Sequence, residues 1–476
     1  MIDRRTLIGS GLALAATPAF ASADKAGFVS KRPAPADRRF VSKAVEREIA
    51  RVSSKIADPK LRWMFGNCYP NTLDTTVKMG VVDGKPDAFV ITGDIDALWL
   101  RDSSAQVRPY LHLAKEDADL RRLYQGLIAR QARCILLDPY ANAFLADTNA
   151  RTELSWALHD KTEMKPGVAE RKWEIDSLCY PIRLAHDYWK ATGDTTPFDA
   201  TWAEAARTTI RTFREQQRKD GPGPYRFLRS SDRPTETLML DGYGPPSRPV
   251  GLIHSGFRPS DDACVYPFLI PSNYFTVATL RELAVLAVAA RQDTALASDA
   301  KALAEEVAAA LRAYGTMRLR DGREVIAFEV DGFGNAIFMD DANVPSLSSL
   351  AYLRCVERDD PLWQRTAAAA WSEANPYWSR GTAVEGIGGP HVGLGHVWPM
   401  SLIMRGFSYD GDVRTLRKIL RMLSNSDANT GFIHEAVDQN DPSKFTRDWF
   451  AWANGLFGEL ILHLAAAQPK LLQETL

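Results

Sequence analysis

SGFRPSDDACVYPFLIPSN, residues 255–273, sets a cation (Arg258), a helix-breaking Pro259, a capping-type Ser260 and two adjacent carboxylates, Asp261 and Asp262, ahead of an apolar run with Pro267 and Pro271. Ser and Asp side chains accept from the orphan N–H groups of a helix start, and acidic residues suit the positive end of its dipole. Taken alone, the stretch reads as a capped helix start. The same arrangement recurs, however, as DSSAQVRP (102–109), DSLCYP (176–181) and DDANVP (340–345), with weaker copies GHVWP (395–399) and RDWFAW (447–452). The copies stand about 50 to 85 residues apart, and each interval holds one apolar helix and one amphipathic return helix. Recurrence at such an interval marks repeated supersecondary units. Six helix pairs predict an all-α chain forming an (α/α)6 barrel, a toroid of six helix pairs with minor β-hairpin insertions. In that fold the inner helices begin at one rim, and the polar loops before them meet in one central pocket.

Outward from this stretch, apolar spacing predicts helices over 41–57, 103–113, 118–137, 175–192, 200–219, 271–292, 297–315, 344–356, 362–372, 397–406, 413–424 and 449–467. Residues 61–70 (LRWMFGNCYP) read as an aromatic turn, and short hairpins are expected within 71–90 and 321–338, where turn pairs interrupt alternating residues. At the start of the chain, Arg4 and Arg5 precede an apolar, small-residue run (9–20) and A-x-A exits. That is the pattern of an export signal of the twin-arginine type, so residues 1–23 are set aside and 24–40 are expected to be a loose leader. The run is too short to span a bilayer comfortably, so no stable membrane anchor is expected once the signal is removed. A single catalytic domain is expected over 41–476, exported to the periplasm.

The 476 residues are 45% hydrophobic and 25% charged, with a net charge of −1. No basic face for nucleic acid is present. Five cysteines at 68, 134, 179, 264 and 355 lack the close spacing of a zinc site. Asp94-x-Asp96 opens like a calcium loop but lacks its Gly and distal Glu. His391 and His396 have no third ligand in pattern, and no phosphate loop, dinucleotide fingerprint or nucleophile elbow occurs. No metal and no cofactor are expected.

Converging loops would collect Asp94, Asp96, Arg101, Asp102, Trp173, Asp176, His254, Arg258, Asp261, Asp262, Asp340, Asp341, Asn343, His391, His396, Trp398, His434, Glu435, Arg447, Asp448, Trp449 and Trp452. Carboxylates and Arg hydrogen-bond hydroxyl groups, and Trp stacks on a ring, so the pocket suits a neutral polyol rather than a polyanion. Glycoside hydrolysis needs two carboxyl groups across the scissile bond. The Asp261–Asp262 doublet offers one, and Glu435 in the loop GFIHEA (431–436) the other. A lyase acting on a uronate would want a less acidic site. A sugar-binding protein without catalysis would keep the Trp and Asp residues but would not need an opposed acid and base.

The stretches TGDIDALWLRDSSAQVRPYL (92–111), HSGFRPSDDACVYPFLIPSNYF (254–275), GIGGPHVGLGHVWPMSLI (386–403) and GFIHEAVDQNDPSKFTRDWFAWANGLFGELI (431–461) resemble the metal-independent exo-α-1,6-mannosidases of glycoside hydrolase family 125. The resemblance runs from about residue 40 to the end of the chain. It implies the (α/α)6 barrel, hydrolysis without a metal, and release of mannose from non-reducing α-1,6-linked ends with inversion. It places the general acid at Asp262 or Asp261, with Asp262 preferred, and the general base at Glu435. An inverting pair stands roughly 6.5–9.5 Å apart, leaving room for a water. By analogy and pocket logic, Arg101, Asp102, Asp94, Asp96, His254, Arg258, His396 and Trp449 are expected to grip the sugar. The open alternatives are another (α/α)6 glycosidase acting on a different α-glycoside, and a non-catalytic glycan-binding protein.

Overall fold

The computed structural model describes residues 27–409 and 411–476; the expected export signal (1–23) lies outside them. Three helices open the described chain: α1 (Lys43–Ser53), α2 (Pro59–Cys68) and α3 (Asn71–Thr75). The pairs that follow are α4 (Leu100–Val107) with α5 (Ala118–Leu137), α6 (Ile175–Thr192) with α7 (Ala200–Glu215), and α8 (Ile270–Arg291) with α9 (Thr294–Tyr314). After them, residues 344–355 run before α10 (Pro361–Ala370), α11 (Pro399–Ser408) before α12 (Val413–Asn425), and α13 (Ala451–Ala467) closes the barrel. Helices α4, α6 and α8 pack in succession on the inside, and α11, α13 and α4 complete the inner ring. Outside, α5, α7 and α9 lie side by side, and α12 packs on α2, which also backs α13. The toroid is the expected (α/α)6 barrel. One contiguous core of buried apolar side chains fills the space between the rings.

A threefold pattern lies over the sixfold one. Two-residue strands Leu98–Trp99, Phe268–Leu269 and His396–Val397 stand directly before α4, α8 and α11. Each joins an antiparallel three-stranded sheet, completed by Ala143–Phe144 with Val168–Glu170, by Glu329–Val330 with Ala336–Ile337, and by Ala436–Asp438 with Phe445–Thr446. Each sheet therefore ties the loops of two successive inner elements together on the rim that carries the recurring motifs.

Capping separates the two rings. The helices α1, α2, α5, α7, α9, α10 and α12 are all capped by a side chain, for example Asp58 Oδ1 accepting from Leu61 N and Asp199 from Trp202 N. None of the inner helices α4, α6, α8, α11 and α13 has a side-chain cap. The acidic residues of the recurring motifs are thus not spent on capping. In 255–273 the chain forms a loop, and the helix starts only at Ile270.

Three expectations change. Residues 344–356 are not a helix but a run of turns and bends. Asp340 accepts from Leu347 N, Ser348 N and Ser348 Oγ, and Ser346 N donates to Ser349 Oγ, so side chains take groups that a helix would use. Residues 61–70 lie mostly in α2, started by the Asp58 cap and Pro59 at the first helical position. The stretch 27–40, expected to be loose, is tied down where it is described. Arg32 Nε donates to Asp74 Oδ2 at 2.7 Å and Arg32 Nη1 to Glu46 Oε2 at 3.0 Å, and Phe28 stacks on Trp63.

Candidate active site

The motif-bearing rim encloses a small cavity. Its carboxylates are Asp102, Asp261 and Glu435, its cations Arg101 and Arg447, its aromatic walls Trp99, Trp398, Phe450 and Trp452, and Asn343 and His391 add polar atoms. The lining comes from the loops before α4, α8, α10, α11 and α13, so all three sheets hold parts of it.

Arg101 is the hub of one wall. Its buried guanidinium bonds Glu174, lies 3.2 Å from Asp176, 3.6 Å from Asp102 and 4.0 Å from Asp261, and stands over the Trp452 ring. One guanidinium cannot neutralise four carboxyl groups, three of them buried, so burial favours protons among them. Burial raises Glu174 well above the usual carboxylate range and pushes Asp176 up to about 6. Burial also acts on Asp261, but Lys172, Arg101 and a hydrogen bond from Glu174 outweigh it and bring that carboxyl below its ordinary value. Asp261 Oδ1 is shut from solvent without an ordinary donor. Its contact with a second carboxyl is favourable only when a proton sits between them. Glu174 and Asp261 thus form a proton-holding pair whose cavity member is Asp261. Asp102 accepts from Thr92 Oγ1 at 2.5 Å.

Glu435 stands on another wall. Its Oε2 accepts from Thr446 Oγ1 at 2.9 Å, and Oε1 lies 3.6 Å from Arg447 Nη1. Arg447 adopts the left-handed backbone (φ 53°), binds Asp94 through Nε at 3.0 Å and stacks on Phe450. Gly93 (φ 135°) lets this wall close: a Cβ there would meet the Trp449 carbonyl at 2.5 Å, and Gly93 bridges to Phe450.

Of the candidate residues, the structure brings Arg101, Asp102, Asp261 and Glu435 to the cavity, with Asp94 reaching it through Arg447. Within the doublet it is Asp261, not the expected Asp262, that lines the cavity. Asp261 takes a left-handed backbone (φ 68°). Asp262 is 1% exposed and lies beside Ser260, which donates to Asp341; burial and Asp341 raise its carboxyl, against the pull of His391. Arg258 does not line the cavity; it is buried and donates to Glu329, whose other oxygen accepts from Val265 N and Tyr266 N. His254 is fully buried, edge-on to Phe268, and does not line the cavity. Asp96 is 71% exposed and pairs with Lys78 on the neighbouring hairpin. His396 sits in a strand with Nδ1 facing the Leu394 carbonyl, and Trp449 lines a different cavity. Glu174, Trp99, Ser260 and Phe450 join the site without having been expected in the pocket, although each stands one or two residues from an expected one. Among the described residues, the group with metal-ligand spacing is His186, Asp187 and Glu282, outside the cavity, where Arg354 pairs with both carboxylates.

The profile of the metal-independent α-mannosidases (GH125) matches residues 58–462. The meiotically up-regulated gene 157 protein of Schizosaccharomyces pombe is 41% identical over 464 residues, covering 93% of this chain and 90% of that protein. A metal-independent α-mannosidase of Streptococcus pneumoniae, solved as a non-productive complex with α-1,6-mannobiose, matches with a TM-score of 0.85 at 39% identity, covering 89% of this chain and 99% of that one. A glycosidase at 12% identity (TM-score 0.50, covering 88% of this chain and 98% of that one) shares the fold alone. Matched along most of its length by the family profile and by relatives near 40% identity, the chain belongs to glycoside hydrolase family 125, the metal-independent α-mannosidases.

Proposed function

We propose that the protein releases mannose from the non-reducing end of α-1,6-linked mannosides with inversion, using Asp261 as general acid and Glu435 as general base. The observation that carries this reading is that Asp261, backed by a protonated neighbour, and Glu435, held by Thr446 and Arg447, stand on the walls of one aromatic-lined cavity. Glu174 passes its proton to Asp261 as Asp261 protonates the glycosidic oxygen, so the pair delivers one proton to the leaving group. Glu435 takes a proton from a water, whose oxygen attacks the anomeric carbon from the opposite face as the C–O bond to the leaving group breaks. Asp102 and Arg101 suit the sugar hydroxyls, and Trp99, Trp398 and Trp452 offer faces for the ring. Proton NMR of the anomeric signals during the first minutes on α-1,6-mannobiose tests both substrate and stereochemistry. Early β-mannose is expected. Early α-mannose would remove the inverting mechanism, and turnover only of other α-glycosides would replace the substrate.

The same proposal extends to location: export through the twin-arginine route into the periplasm. It is supported by Arg4 and Arg5 ahead of the apolar run and by five cysteines that are all free thiols, four of them buried, which suits export after folding. Replacing both arginines by Lys should retain the enzyme in the cytoplasmic fraction; unchanged periplasmic activity would refute the route.

A further inference from the structure

Lys172 is buried, 3% exposed, yet among the described residues no carboxylate is in ion-pair contact with it. Its Nζ donates to the main-chain carbonyl of Asp261 at 2.8 Å and stands over the Phe257 ring. Asp160 and Glu236 lie near enough to feel its charge, but Asp160 pairs with Arg229 and Glu236 accepts from Ser231. A buried ammonium group normally faces a carboxylate, because an unpaired charge is costly to bury. Here it is spent on a peptide carbonyl of the residue that lines the cavity. Asp261 sits in a left-handed turn (φ 68°), which a residue with a Cβ keeps only when its surroundings hold it there. One side of that turn is closed by Asp261 N donating to the Arg258 carbonyl at 2.9 Å and by Arg258 N donating to the Asp262 carbonyl at 2.8 Å. On the other side, the partner of the Asp261 carbonyl is Lys172.

Lys172 and Glu174 stand two residues apart, and both act on Asp261: Glu174 meets its carboxyl and Lys172 its carbonyl. Asn142 fixes that stretch, accepting from Lys172 N on Oδ1 at 3.0 Å and donating from Nδ2 to Glu174 at 3.4 Å. We propose that Lys172 is a positioning residue for the general acid: by holding the Asp261 carbonyl it keeps the left-handed turn, and with it the Asp261 carboxyl between Glu174 and the glycosidic oxygen. This role rests on the reading of Asp261 as general acid. Without the ammonium group the peptide after Asp261 is free to turn, and the carboxyl leaves the line along which the proton passes.

The test compares two substrates of the full chain: α-1,6-mannobiose, whose sugar leaving group needs a proton, and α-mannosyl fluoride, whose fluoride leaves with little help from an acid. Lys172→Met should lower kcat on mannobiose about 10–100-fold, the usual cost of a misplaced group, with KM little changed. On the fluoride the loss should stay under about threefold, and that turnover shows the variant is folded. Lys172→Gln, which keeps a polar head in the buried position, makes the same comparison if Lys172→Met does not fold. Lys172→Arg restores a donor and a charge and should recover part of the mannobiose loss. Equal slowing of both substrates would show a merely structural lysine and overturn the proposal, as would an unchanged kcat on both. Asp261→Asn is the reference and should show the same selective loss. If Asp261→Asn slows both substrates alike, the acid assignment fails and the role of Lys172 with it; if Asp261→Asn is selective and the Lys172 variants are not, the positioning role alone fails.

Discussion

Asp261 and Asp262 are chemically identical neighbours with different surroundings. The positive φ of Asp261 goes with a side chain at the cavity wall beside Arg101 and Glu174, while Asp262 is packed beside Ser260 and Asp341. Asp261→Asn and Glu435→Gln should each lower kcat by roughly 10²–10⁴, the usual share of general acid–base catalysis, with KM for α-1,6-mannobiose little changed. Asp262→Asn should leave kcat nearly unchanged and lower the melting temperature instead, because it alters a buried polar cluster. If Asp262→Asn loses activity while Asp261→Asn keeps it, the assignment made here is reversed. The doublet was legible in the sequence; which member faces the substrate was not, because residue order carries no backbone angle.

Outer and inner helices start by different means. The outer ones carry Asp or Ser caps, and Asp117 serves two at once: Oδ1 accepts from Asp119 N and Leu120 N at the start of α5, and Oδ2 accepts from Ser42 Oγ and Ala44 N at the start of α1. Asp117→Ala should therefore cost about 1–3 kcal/mol, more than a single cap. It should read as a lower urea midpoint with an unchanged slope; an unchanged midpoint would show that solvent replaces both caps. Most helices were readable from apolar spacing, and α5 and α6 match their expected limits. The failures at 344–356 and 61–70 have local causes: hydroxyl and carboxylate competition with the helix in the first, and an overlooked Asp58-Pro59 start in the second.

The barrel gathers carboxyl groups from distant parts of the chain around one guanidinium, and stability inherits a pH dependence from that convergence. Burial raises Asp176 from an ordinary 3.8 to about 6. The folded state therefore holds a proton there that the unfolded chain releases. This contribution to stability is complete below about pH 4 and is lost as pH rises through about 6, on the order of 3 kcal/mol. Asp176→Asn removes the titration and should flatten the fall of the unfolding midpoint between pH 4 and pH 7. A slope identical to that of the unsubstituted protein would show that Asp176 is ionised throughout. Recurring motifs, apolar periodicity and long family stretches determined the toroid, the class of chemistry and the pool of acidic residues from sequence alone, because helix period and local residue type are properties of neighbours along the chain. Only the tertiary structure decided that Asp261 rather than Asp262 meets the cavity, that Glu174 stands behind it, that Arg258 and His254 do not line the cavity, and that Lys172 donates to the Asp261 carbonyl. Those outcomes depend on which loops the three rim sheets draw together and on what each buried charge then finds as a partner.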